Sequence, residues 1–350
     1  MNRHMRRWIL AGLLVTAAAG AEQRWITAGE QGLVTDGRVQ SIKLPNPNSG
    51  PTTIAVAADG GVWFTANTGN SVARFDPHGG VLKEFSLPHA NSAPRIIALG
   101  ADGNMWFSEH SGNRIGRITP QGQLAEYDIP TPASQPRAIA LGADGNIWYG
   151  GFASNKVGRI TPRGVITEFT LPTADSGPRA LAAGPDGNIW VSEFRASKIA
   201  RITPRGEITE FVLPRPNSGP GDITAGADGA MWFVELSGGM DGVQTDGNRI
   251  GRITMDGRIT EYEMPGKTPS PVNIAVGPDR NVWYTRGNLL GRVTSDGRIT
   301  ELPLPEGSRG VGLSAGSDRQ VPTRLLNRLY VADGGGNGIA WLEFTAPAAR

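Results

Sequence analysis

Short apolar runs alternate along the chain with clusters of Gly, Pro, Asn and Asp, and the alternation itself repeats. The unit from Pro94 to Pro130 shows it: "RIIALG", an Asp-Gly turn, "NMWFSE", "RIGRIT", a Pro/Gly turn and "QLAEYDIP". Runs rich in β-branched and aromatic residues and bounded by turn residues read as strands, so each unit predicts four short strands with no room for a helix. Runs such as "NIWVSE" and "MWFVE" are apolar on both sides of the pleat. A sheet built from them must be covered on both faces.

Aligned on their aromatic residue, the copies give Trp63, Trp106, Trp148, Trp190, Trp232 and Trp283, with Tyr330 in the same context. The steps are 43, 42, 42, 42, 51 and 47 residues. This period is that of a four-stranded propeller blade, whereas β-solenoid coils are shorter and lack the paired hairpin turns. The expectation is an all-β, seven-bladed β-propeller. Six copies carry an Arg on the third strand nine or ten residues before a Glu on the fourth, from Arg74 and Glu84 to Arg292 and Glu301. That spacing predicts structural pairs across a hairpin. The last copy ends after its third strand, "GIAWLEF", and the N-terminal "GRVQSIKLP" looks like an orphan fourth strand. There the Arg position holds Trp341 and the Glu position Ser41. Both partners are lost together, which predicts that the two termini share one blade and close the ring.

Residues 1–21, "MNRHMRRWILAGLLVTAAAGA", have a basic start, an apolar stretch and Ala19 and Ala21 in an A-x-A pattern, the features of a secretory signal. Residues 22–350 are then one propeller domain, secreted or periplasmic, with no segment long enough for membrane insertion. Without Arg3, Arg6 and Arg7 the 34 basic residues fall to 31, against 32 acidic ones. A near-neutral chain gives no electrostatic reason to expect nucleic acid or anionic lipid as partner. With no cysteine there are no disulfides, thiolate ligands or cysteine nucleophiles.

Because strand direction alternates, the Asp-Gly and Pro/Gly turns share one face, and the loops from strand two to three share the other with the crossovers from four to one. The turns are short and uniform, and their Asp-Gly pairs read as hairpin geometry. The copies differ on the crossover face. The residue after the Pro that opens strand one reads Thr52, Arg95, Arg137, Arg179, Gly221 and Val272. The residue closing strand two, 14 positions on, reads Ala66, Glu109, Gly151, Glu193, Glu235 and Arg286. Three arginines and three glutamates are expected to ring the channel mouth and touch a ligand together with Arg286 and Asn273, although such groups also pair structurally with one another. Asp222 with Glu235 is the carboxylate pair most suited to a hard cation such as Mg²⁺. His89 and His110 lie on this face, whereas His78 lies in a turn opposite. The blade-five insertion "SGGMDGVQTDG", with Asp241 and Asp246, has no metal-loop spacing and reads as a mobile flap.

The phrases "GPDGNIWVSE", "NRIGRITPQG" and "ITEFTLP" resemble the virginiamycin B lyase (streptogramin B lyase) family over nearly the whole mature chain. The resemblance implies a seven-bladed propeller and, for active members, Mg²⁺-assisted elimination that linearises a cyclic depsipeptide antibiotic at its ester. It implies a catalytic His after the Pro of strand one, a second His there in a preceding blade, and Mg²⁺ held by a carboxylate before that Pro and another closing strand two. Of this set only the strand-two carboxylate survives, as Glu109, Glu193 or Glu235. The His positions hold Thr, Arg, Arg, Arg, Gly and Val, and the positions before the Pro hold Gly50, Ala93, Gln135, Gly177, Gly219 and Ser270. Arg cannot take a carbon-bound proton, but it grips carboxylate or phosphate bidentately. The first expectation is therefore an exported, lyase-like propeller binding a small or peptidic, anionic ligand. The alternatives are a carbon-oxygen lyase using another base, His110 or Glu193, and an interaction scaffold for another exported protein. Gluconolactonase-like metal propellers have acidic sets without counterpart here.

Overall fold

The computed structural model describes residues 37–77, 80, 82–240, 243–266, 269–315 and 328–344. The leader, His78 and Asp241 lie outside the described residues. Seven four-stranded antiparallel sheets form, each ordered one to four from the inside out. The first strands touch in sequence around a central channel, and that of the seventh blade, Gly310–Ala315, meets that of the first, Pro51–Val56. The circle is therefore closed. Its seam is the predicted one: Val39–Lys43 pairs antiparallel with Gly338–Glu343, placing Ser41 opposite Ala340 and Gln40 opposite Trp341.

In blades one to four and six the second strand is buried along its whole length, for example Ile189–Glu193, and the core lies between blades as seven apolar clusters. Their recurrent unit sits on the turn face. Trp106, Trp148, Trp190 and Trp232 each donate from Nε1 to the Asp of the preceding Asp-Gly turn at 3.1 Å. Each also stacks on a fourth-strand aromatic, as Trp190 does on Phe211 at 5.5 Å between centroids. The third-strand Arg caps the stack, with Arg117 5.5 Å above Trp106 and 5.8 Å above Tyr127. Its Nη1 reaches the Pro162 carbonyl of the next blade at 3.0 Å. Gly164, in that same turn at φ +85°, covers Tyr127; a Cβ there would come within 2.3 Å of the ring.

This corrects one expectation. The repeated Arg and Glu are not partners across the hairpin. Arg201 stands opposite Thr209, and Glu210 opposite Ala200, so the two side chains leave opposite faces of the sheet. A one-residue offset is enough to do this, because the side-chain period of a strand is two. The arginines turn instead to the Asp-Gly turn, as Arg74 does to Asp59 at 2.9 Å and Arg252 to Asp228 at 2.7 Å.

The blade-five insertion takes the form of a hairpin that continues strands two and three. Met231–Met240 and Val243–Ile253 continue as a paired hairpin, with Ser237 opposite Asp246 and Gly238 opposite Thr245. The Asp246 amide binds the Asn217 carbonyl of the crossover at 3.0 Å and pins its base. Among the described residues no helix is long and apolar enough to cross a membrane.

Candidate functional site

The Pro that opens strand one pairs with the residue that closes strand two, and immediately after it the register slips. Pro178 faces Glu193 but Ala180 already faces Ser192, so Arg179 occupies a β-bulge. Arg95 and Arg137 sit in the corresponding bulges of blades two and three. A bulge re-aims the side chain of its extra residue. Arg137 and Arg179 lie over the rings of Phe152 and Phe194, 4.7 and 4.9 Å from their centroids. Arg195 lies over Phe152 as well, at 4.6 Å, and the two phenyl rings are 6.4 Å apart. Stacking on a ring face fixes the orientation of a guanidinium plane.

Below this layer, Asp222 and Asn273 line a channel cavity of about 360 Å³ with otherwise mostly apolar walls. Asp222 accepts from the amides of Ile223 and, across the blade boundary, Ile274, both at 3.0 Å. Asn273 continues the belt by donating to the Val311 carbonyl at 2.6 Å. Burial pushes the Asp222 carboxyl up to about 6, against the two amides and the Arg179 charge.

The three strand-two glutamates occupy a different environment from the bulge arginines. Glu109, Glu193 and Glu235 are all fully buried. Each stands in register with a cation opening strand three: Arg114, Lys198 and Arg249. A strand-four carboxylate completes each group. In blade five Glu235 meets Arg249 Nε at 2.8 Å, and Arg249 approaches Glu261 at 3.8 Å. In blade two Glu109 lies 3.2 Å from Arg114. In blade four Lys198 bonds Glu210 at 2.7 Å and Thr173 at 2.6 Å. Burial, and then the Glu210 charge, push the Glu193 carboxyl up to about 8 in spite of Lys198. Burial raises Glu109 and Glu235 also.

Arg286 is 3% exposed and engages Glu301 at 3.1 Å and the Pro269 carbonyl, while Tyr284 donates to the same Glu301 at 2.9 Å. It therefore serves blade six as its buried cation. His89 is bound to Glu126 at 2.7 Å. The amide of His110 is bound to the Ala93 carbonyl at 3.2 Å.

Mg²⁺ does not fit the residues proposed for it. Asp222 gives both oxygens to backbone amides, and Glu235 has a guanidinium against it. Among the described residues no group of three or more His, Cys, Asp or Glu side chains is placed to hold a metal ion.

Phe152, Phe194 and Arg195 belong to the mouth, and a comparison of charged positions alone passes over them. The signal was present one and two places after the strand-two position, where the copies read Asn67, His110, Phe152, Phe194 and Leu236, then Thr68, Ser111, Ala153, Arg195 and Ser237.

Comparison with known proteins bears on this geometry. The virginiamycin B lyase family profile matches residues 37–247 and 178–323. A selenomethionine-substituted virginiamycin B lyase from Staphylococcus aureus superposes with a TM-score of 0.79 at 35% identity, covering 87% of this chain and 99% of that one. The same figures hold for a catalytically inactive histidine-to-alanine variant of the Staphylococcus aureus enzyme solved with quinupristin. A streptogramin B lyase superposes with a TM-score of 0.79 at 33% identity, covering 88% of this chain and 98% of that one. No curated protein sequence matches the chain.

Proposed function

Since the chain belongs to the virginiamycin B lyase family, we propose that it is an exported member that binds, without opening, a small or peptidic ligand bearing a carboxylate or phosphate at the arginine-bearing mouth. The observation that carries this reading is the set of bulge arginines, Arg95, Arg137 and Arg179, at positions where the resemblance calls for histidine. A guanidinium stays protonated and cannot act as the base of an elimination, but it recognises oxyanions with two parallel hydrogen bonds. The buried glutamates act behind the mouth by holding the strand ends from which it is built.

Quinupristin, present in the relative's structure, is the natural first probe. Isothermal titration of the mature protein against quinupristin and against short peptides with free C-terminal carboxylates tests the reading. Replacing Arg95, Arg137 and Arg179 together by Gln should weaken peptide binding by about a hundredfold or more, as expected for charge-assisted bonds. Unchanged affinity overturns it. Mass spectrometry should show quinupristin intact with and without added Mg²⁺; a linear product of unchanged mass would establish elimination instead.

A further inference from the structure

Across the mouth from the phenylalanine-stacked arginines, where blades seven, one and two meet, a cavity of about 370 Å³ opens. Two of its lining residues are the arginines Arg95 and Arg309, and none is a carboxylate. This size is at the small end of ligand sites. Arg309 occupies the place before the strand-one opening of blade seven, where Gly310 takes the role Pro has elsewhere by pairing with Asp333. Its side chain is exposed, and no salt bridge joins it to a described carboxylate. Asp333, which accepts from the Arg309 amide at 2.8 Å, is also bound by Ser308 Oγ at 2.6 Å and the Gly336 amide at 2.8 Å.

The cavity exists because of what fills one position in each blade. After strand two, blades three and four place Phe152 and Phe194, whose rings occupy the space beside Arg137 and Arg179. Blades one and seven place Asn67 and Gly334 there. The next residue, Gly335, has no room for a side chain, since a Cβ would lie 2.8 Å from the Arg309 amide nitrogen and the Gly307 carbonyl. The backbone can therefore pass close under Arg309 and leave the space above it open. Thr52 and Thr68 add hydroxyls to the wall. Two cations with neutral hydroxyl donors around a small concavity, and no acid lining it, create a focused positive potential.

We propose that this cavity binds the oxyanion of a small ligand, a carboxylate or phosphate group, between the guanidinium groups of Arg95 and Arg309. The inference rests on the reading of the mouth as an anion-binding site and fixes where in the mouth the charge is held. The probes are succinate and inorganic phosphate, titrated calorimetrically into the mature protein at low ionic strength. At least one should bind, and Arg309→Gln should weaken it about tenfold or more, as expected for loss of a charge-assisted pair. Arg309→Lys, which keeps the charge and loses the planar fork, should recover part of that loss. Arg205→Gln, at an exposed arginine in a turn on the opposite face, should leave the affinity within about twofold, the expectation for sites without shared partners. Because Arg309 is exposed, its variants should melt with the parent, which separates lost binding from lost folding. Absence of binding by both probes up to about 10 mM, weaker than any useful site, or an unchanged affinity in Arg309→Gln, overturns the proposal. Peptide binding lost in the triple bulge variant but retained in Arg309→Gln would preserve the anion-binding mouth and refute this placement.

Discussion

Trp190 and Glu193 lie three residues apart on one strand, yet they belong to two chemical regimes. At the Trp end every polar group has a partner: the indole N–H has Asp186, and Arg201 lies over the ring and donates to the Met255 carbonyl of the next blade. At the Glu end a fully buried carboxyl faces one ammonium, Lys198, which already serves Glu210. Blade three shows that the second acid is not needed for folding. Gly151 stands in the Glu position, and Lys156 pairs one-to-one with Glu168 at 3.3 Å. In blades two to five the turn face is thus a repeated joint whose indole N–H is bound to its Asp, while the crossover face carries an excess of buried acid in blades two, four and five. A recurring bonded stack marks the part that holds the ring together, and uneven charge marks the part free to vary.

The severest way to break the contrast is to remove an indole. Trp190→Ala empties the joint between two blades and should cost about 3–5 kcal/mol in denaturant unfolding; a cost below about 1 kcal/mol would mean the stack is not what holds the blade. Titrating the other end comes next. The Glu193 carboxyl is pushed from 4.5 up to about 8 by burial and then by Glu210, so between those values the folded chain binds more protons than the unfolded one. Stability must then fall as pH rises through that window and level off above about 8, with a slope on the order of 1 kcal/mol per pH unit. Glu193→Gln should flatten this contribution and make the protein more stable than the parent at pH 9; an unchanged profile would deny the excess acid. A smaller effect tests the indole bond at the turn face. Asp144→Ala strands the Trp148 N–H and should cost about 1–3 kcal/mol, most of which should vanish when Trp148 is already Phe. Smallest of all, Arg215→Ala removes an exposed partner of Glu263, with exposures of 52% and 62%. It should cost about 0.2–1 kcal/mol in unfolding experiments and less in high salt.

The ring, its blade count and its seam were legible in the sequence, because the aromatic period and the paired loss at Trp341 and Ser41 are one-dimensional signals. The destination of the repeated arginines was not. Spacing along a hairpin gives proximity, but the face is set by register, and one residue separates a partner of Glu from a partner of Asp. The mouth was half legible. The sequence named Arg95, Arg137 and Arg179, and the bulges that re-aim them follow the opening Pro. It did not reveal that the neighbouring glutamates are fully buried, because burial depends on which side of the pleat meets the adjacent blade. Arg309 was missed for a simpler reason. Blade seven opens on Gly310 rather than Pro, so an alignment on Pro does not count it.

The seam has a consequence for how the molecule is made. Val39–Lys43 is synthesised before the other strands of the ring and its partner Gly338–Glu343 after them, so the circle cannot be latched until the strands of all seven blades exist. Until then the last blade presents a bare outer edge, and such edges recruit foreign strands. A polypeptide that loses residues 37–43 to proteolysis would keep that edge for good and should be captured by its own kind, blade to blade.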